Sequence, residues 1–356
     1  MKFLFSKALS LIFSLIVATA TSVASEAQKG ERQIAPRTLP LPIGASSVIQ
    51  EAVLNTPPPK AKPVKKSVPQ TKEEWKDWAA RINTKAAAGT RALAKELQVS
   101  VKQGRINGVN VYRLTPVEID PKHKGHLLVY LHGGAYVLLA GEAGIGEALL
   151  IAARTRMPVI SIDFRMPPEY PAPAAINDVV TVWKHLLKSR PASVMALGGS
   201  SSGGGLAVAS VHRFKELKLK LPGALYLGTP AVEVDKIGDS RYINEGADRL
   251  LASWDGVPHR AFSLYAGDYD HKHPYISPIY GDFKGFPPSY LISGTRDLLL
   301  SDTIRTHRKL RAAGVDADLN VYEGLSHREY IVVPNSPESL EHYRELNAFL
   351  LKHLEK

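Results

Sequence analysis

"SVMALGGSSSGGGLAVASVHRF", residues 193–214, sets three serines between glycines. Composition alone allows a loose Gly/Ser spacer, but the flanks argue against it. "SVMAL" reads as an apolar strand and "LAVASVHRF" as a helix. The run between them is therefore a tight strand-to-helix turn, where glycines permit close backbone approach and unusual dihedrals. Only one register satisfies Gly-x-Ser-x-Gly: Gly199-Ser200-Ser201-Ser202-Gly203. Ser201 then occupies the nucleophile position of an elbow, with its hydroxyl raised above a sheet.

A serine hydroxyl is a weak nucleophile near neutral pH and needs a base. Behind such an elbow the chain order is serine, then a carboxylate, then histidine, with the partners in loops at the carboxyl ends of strands. "SYLISGTRDLLLSD" (289–302) ends a strand and offers Asp297 and Asp302. Asp297 follows the strand directly and is the expected acid. Asp302 stands beside Ser301 at a helix start, where capping is the simpler role. Among the downstream histidines, His307 lies in a helical stretch and His342 and His353 on the terminal helix. His327, in "VYEGLSHREY" (321–330), follows a strand in a loop and is the expected base. "LHGGAY" (131–136) puts two glycines after another strand, so the amides of Gly133 and Gly134, with that of Ser202, are the expected oxyanion hole. His132 precedes this loop and reads as structural.

The remaining chain supports an α/β fold. "VSVKQGRINGVNVYRL" alternates around Asn107-Gly108 and predicts a β-hairpin. Apolar strands follow in "HLLVYLHGG", "PVISIDF", "SVMALGG", "GALYLGT", "PSYLISGT" and "DADLNVYEG". Helices are expected near 143–155, 174–188, 204–216, 301–313 and 337–354. Continuous apolar strands alternating with helices predict a mostly parallel central sheet with helices on both faces. Ahead of the hairpin, "TKEE" is a capping box, Thr71 with Glu74. Trp75, Trp78, Ala79 and Ile82 then share one helix face, and a second helical stretch runs through "TKAAAGTRALAKEL".

The 356 residues carry a formal net charge of +11 and no cysteine. Disulfides, thiolate metal sites and a lipidated N-terminal cysteine are excluded. No basic helix is interleaved with aromatics, so no nucleic-acid partner is expected. Residues 1–25 have Lys2 and Lys7, then an apolar run from Ala8 to Ala20 and small residues, which reads as a signal peptide and predicts export to the periplasm or medium. Residues 26–70 hold eight prolines, with lysines at 60, 62, 65 and 66, and are expected to be a disordered linker that could at most touch an anionic surface weakly. The expected division is therefore leader 1–25, linker 26–70, N-terminal helices 71–98 and catalytic domain 99–356.

Taken together, "HGGAY", "DFRMPPEYPAPAAINDV", the serine elbow, "SPIYGDFKGFPP", "GTRDLLLSD" and "GLSH" resemble the hormone-sensitive-lipase-like branch (acetyl esterase and lactone hydrolase-like) of the α/β-hydrolase family, over roughly residues 71–356. The resemblance implies an α/β-hydrolase fold with a helical cap, formed by about 71–98 and an insertion at about 231–287. It implies hydrolysis of short- to medium-chain carboxylic esters without a cofactor, and some relatives open lactones or remove acetyl groups. Two departures stand out. The third glycine of the family's His-Gly-Gly-Gly is Ala135, and the residues flanking the nucleophile, often Asp or Thr and Ala, are Ser200 and Ser202. Tyr136, Trp75 and Trp78 are candidate contacts for a small-molecule ester.

Other chemistries compete with this reading. Amide cleavage would use the same triad. A non-catalytic binding protein on the same fold would be expected to lack a triad member, and all three are present. "DYDHKHP" offers Asp270, His271 and His273 to a metal, but His-x-His without a clear ligand set reads as a solvated loop.

Overall fold

The computed structural model describes residues 31, 32, 34, 38–56 and 68–355. The expected leader and much of the 26–70 stretch lie outside these residues. The elements below belong to one unit, Pro40–Lys356.

Eight strands form one sheet in the order β1-β2-β4-β3-β5-β6-β7-β8. They are β1 Ser100–Ile106, β2 Val109–Thr115, β3 Leu127–Leu131, β4 Val159–Asp163, β5 Met195–Ser200, β6 Ala224–Gly228, β7 Ser289–Gly294 and β8 Ala317–Tyr322. β1 and β2 are the predicted hairpin, turning through Asn107 and Gly108, both at positive φ as a two-residue turn requires. β2 also pairs antiparallel with β4, and every other pairing is parallel.

The apolar runs have two buried faces because successive side chains alternate. In β3, Leu127, Val129 and Leu131 enter one core cluster, while Leu128 and Tyr130 enter the other. β5 and β6 divide in the same way, Leu197 and Leu227 against Ala196 and Tyr226. Helices Ala174–Leu186, Ser202–Glu216 and Leu300–Ala312 add Val179, Leu206 and Leu310 to the first cluster. Helices Gly146–Thr155 and Pro337–His353 cover the second with Leu149 and Leu346.

Strand order places the site. From β3 the chain moves to β4 on one side, then crosses back to β5 on the other. The connections leaving β3 and β5 thus diverge and open a crevice beyond their carboxyl ends, where open α/β sheets bind ligands.

Three local expectations need correction. Residues 47–54, assigned to the disordered linker, form a helix, Ser47–Leu54. Ser46 caps it, its own N–H and hydroxyl donate to Glu338, and Ile49 is fully buried. A cap at one end and one anchoring side chain order a segment that its surrounding prolines disguise. The second correction concerns the two helical stretches expected at 71–98, which are a single helix, Lys72–Glu96. The Thr71–Glu74 capping box starts it, and Gly89, the weak point of the pattern, does not break it.

This helix is tied to the loop after β3. Asn83 accepts the N–H of Leu139 at 2.7 Å, and Thr90 donates to the carbonyl of Glu142 at 2.8 Å. Trp75 is buried, edge-on to half-buried Trp78 at 5.6 Å, in a cluster with Val137, Leu138 and Ala261. In the insertion at 231–287, helix Ser240–Ile243 is tied to helix Leu300–Ala312 by a fully buried ion pair, Arg241–Asp302, at 2.8 Å, while helix Val257–Ala266 packs Phe262 and Tyr265 into the first core cluster. Asp302 also accepts the N–H of Val232, and the helix beginning at Leu300 has no side-chain cap. The capping role expected of Asp302 is therefore corrected: it is an internal counter-charge.

Candidate active site

The elbow is built from backbone clearance. Ser201 turns the chain from β5 into helix Ser202–Glu216 in one residue, at φ 58° and ψ −126°. A side-chain-bearing residue at positive φ is strained, and such strain persists only where its surroundings enforce it. Here they do: the Ser201 N–H donates to the carbonyl of Gly228 at 2.8 Å. A Cβ on Gly199 would lie 2.1 Å from the Leu131 carbonyl oxygen, and one on Gly203 would lie 2.0 Å from it. The glycines are what let this turn close against the end of β3.

The three serines point three ways. Ser200 is fully buried, and its hydroxyl donates to Glu147 at 2.7 Å, in a polar network with Tyr226 and Tyr330 behind the sheet. A Cβ on Gly228 would lie 2.2 Å from that hydroxyl, so glycine there makes room for it. Ser202 begins the helix, and its hydroxyl accepts the N–H of Tyr136 at 3.4 Å. Ser201 alone faces histidine.

Ser201 Oγ lies 2.9 Å from His327 Nε2, and His327 Nδ1 lies 3.0 Å from Asp297 Oδ1. A carboxylate only accepts, so Nδ1 carries the proton, and in the neutral ring Nε2 accepts from Ser201. The three residues come from the carboxyl ends of β5, β7 and β8. Asp297 is itself fixed: Oδ1 also accepts the N–H of Leu299 at 2.8 Å, and Oδ2 accepts the Ser293 hydroxyl at 2.8 Å.

Gly133 and Gly134 follow β3 at the same edge. Gly134 has φ 107°, and a Cβ there would lie 2.5 Å from the Leu138 carbonyl oxygen. A Cβ on Gly133 would lie 3.2 Å from Ser201 Cβ, so this loop rests directly on the serine. The first N–H groups of helix Ser202–Glu216 have no acceptor inside the helix, and the positive end of its dipole faces the same space. Ala135 comes after both glycines and replaces neither.

His132 bonds within its own loop, Nδ1 to the Gly133 carbonyl at 2.7 Å, and stacks on Phe164. Burial lowers its pKa below the usual imidazole range. Tyr136 is buried and stacked on Tyr265 at 3.7 Å between centroids. Of the three candidate substrate contacts, Tyr136 and Trp75 are buried and Trp78 is half-buried. In the insertion loop His271 Nδ1 pairs with Asp235 at 2.9 Å, while Asp270 and His273 accept local backbone N–H groups.

Sequence reasoning missed Asp248, a fully buried carboxylate beside the triad. It accepts the N–H of Leu298 at 3.0 Å and that of His327 at 3.2 Å. Nothing in "NEGADRLLASW" (244–254) distinguishes it from a solvated loop aspartate.

Comparison with known proteins agrees with this fold. Residues 128–331 match a family described as having an alpha/beta hydrolase fold. An esterase of Acinetobacter venetianus is 31% identical over 206 residues, which are 56% of this chain and about two thirds (66%) of that one. An acetyl-hydrolase of Streptomyces hygroscopicus is 28% identical over 64% of this chain and 76% of that protein. The crystal structure of an esterase, E25, superposes with a TM-score of 0.89 at 50% identity, over 91% of this chain and 99% of E25. An esterase of the bacterial hormone-sensitive lipase family superposes at 0.66 and 27% identity, over 80% of this chain and 100% of that one. A family match over more than half the chain, on this sheet and this elbow, means that the protein belongs to the α/β-hydrolase family, in its branch of hormone-sensitive-lipase-like esterases.

Proposed function

We propose that the protein is a serine carboxylic-ester hydrolase of short- to medium-chain esters, working through an acyl-enzyme with Ser201 as nucleophile, His327 as base and Asp297 as its partner. The observation that carries this reading is the unbroken hydrogen-bond chain from Ser201 through His327 to Asp297. Ser201 Oγ attacks the ester carbonyl carbon as its proton passes to His327 Nε2. Asp297 holds the ring in the right tautomer and stabilises the imidazolium. The carbonyl oxygen, now negative, accepts from the amides of Gly133, Gly134 and Ser202, donors that need no rearrangement as charge develops. The ester C–O bond then breaks, and the leaving alcohol takes the proton from His327. Water, giving its proton to His327, attacks the acyl carbon, the acid leaves and Ser201 regains its hydrogen.

An organophosphate tests the assignment, because labelling needs both an exposed hydroxyl and an adjacent base. Activity on a p-nitrophenyl ester is expected to disappear in step with one adduct per chain, located by peptide mass on Ser201. An adduct on Ser200 or Ser202, or full activity in labelled protein, would overturn it. Run beside acyl esters of increasing length, lactones and acetylated sugars, the same assay ranks the substrates, with simple acyl esters expected first.

The leader is read the same way. Lys2, Lys7 and the apolar run support export, with a mature N-terminus between about Thr21 and Gln28. Sequencing the exported protein decides it, and retention of Met1 would favour an uncleaved anchor.

A further inference from the structure

The insertion between β6 and β7 does more than cover the sheet. Its segment 244–251 grips both loops that carry the expected acid and base. Asn244 donates from its side-chain amide to the carbonyls of Thr295 at 3.1 Å and Asp297 at 2.8 Å. The Arg249 N–H donates to Ser326 Oγ at 3.2 Å, and the Arg249 guanidinium pairs with buried Glu329 at 2.6 Å. Asp248 sits between these contacts. Its Oδ1 closes its own turn by accepting the N–H groups of Leu250 and Leu251, at 2.9 and 3.0 Å. Its Oδ2 accepts from Leu298, the residue after Asp297, and from the backbone of His327 itself.

We propose that Asp248 is a positioning residue of the esterase, one carboxylate that sets the spacing of the Asp297 and His327 loops. This rests on the triad reading given above. A buried carboxylate carries a large desolvation cost that only directed donors and charges offset. Four N–H groups meet this one, two of them from triad loops. Burial and the neighbouring Asp297 raise its pKa, while His327 opposes the rise. Such a group acts on the reaction through His327, since misplacing a reacting group by about 1 Å costs on the order of 10²-fold in rate.

Asp248→Asn keeps the shape but offers one acceptor where two are needed. When its carbonyl closes the local turn, its NH2 group confronts the N–H groups of Leu298 and His327. The expected result with a p-nitrophenyl ester is a fall in kcat of about 10²-fold, with KM within about twofold. The discriminating measurement is the same substitution in His327→Ala. A residue that works through His327 has nothing left to position there, so Asp248→Asn is expected to leave the residual rate of His327→Ala unchanged. Equal losses in both backgrounds, or a folded Asp248→Asn enzyme with near-normal kcat, would sink the proposal. If Asp248→Asn does not fold, Asn244→Ala decides: it loosens the same grip and is expected to lower kcat about tenfold at constant KM, and an unchanged kcat overturns the idea. Failure of the triad reading looks different, since Asp297→Asn would then remain active as well.

Discussion

Ser201→Ala lowers kcat by about 10⁴–10⁶-fold, the scale set by losing a triad serine, in a protein that unfolds at its normal temperature. The loss is large because one atom is removed, the oxygen 2.9 Å from His327 Nε2, and no neighbour can replace it. Ser202→Ala keeps the backbone N–H proposed for the oxyanion and loses only a 3.4 Å bond from Tyr136, so turnover falls about tenfold or less. Ser200→Ala acts on stability instead. It strips one of the donors from fully buried Glu147 and lowers stability by about 1–3 kcal/mol. Steady-state kinetics and thermal unfolding of the three variants separate these outcomes. Near-normal kcat in folded Ser201→Ala would end the nucleophile assignment.

Asp297→Asn is the second large effect, a fall in kcat of about 10⁴-fold. The amide oxygen can still accept from His327 Nδ1, but a neutral group no longer stabilises the imidazolium that forms as Ser201 is deprotonated. The NH2 then takes the Oδ2 position, a donor facing the Ser293 hydroxyl that now donates there, while the Leu299 N–H keeps the oxygen it shares with His327. Residues that act as a unit are non-additive, so the double variant with Ser201→Ala is expected to be no slower than Ser201→Ala alone. Retention of more than about a tenth of wild-type kcat would move the acid elsewhere, and Asp248 is the carboxylate beside it.

The three expected partners were legible because each leaves a local mark. The elbow needs glycines where a Cβ would strike β3, and that need is written as Gly-x-Ser-x-Gly. Asp297 and His327 each follow a strand, and strand ends are readable from apolar runs. Asp248 leaves no such mark. Its importance lies in N–H groups 50 and 79 residues away along the chain, brought to it by an insertion whose path no periodicity encodes. Helix Ser47–Leu54 was hidden for a related reason: one buried residue, Ile49, makes no stripe. The Trp75 and Trp78 pattern predicts a helix face, and the structure puts that face in a cluster with Val137 and Ala261, Trp75 buried and Trp78 half-buried.

Helix Lys72–Glu96 is more than a lid that could be exchanged at will. Asn83 and Thr90 fasten it to the stretch that runs on from Gly134, and Trp75 packs against Val137 and Leu138 in that stretch. Mutations that reshape this helix to admit new esters therefore also reach the turn proposed to hold the oxyanion. Breadth of diet and speed of turnover are thus inherited together here, and an evolving lineage would trade one against the other within a single stretch of chain.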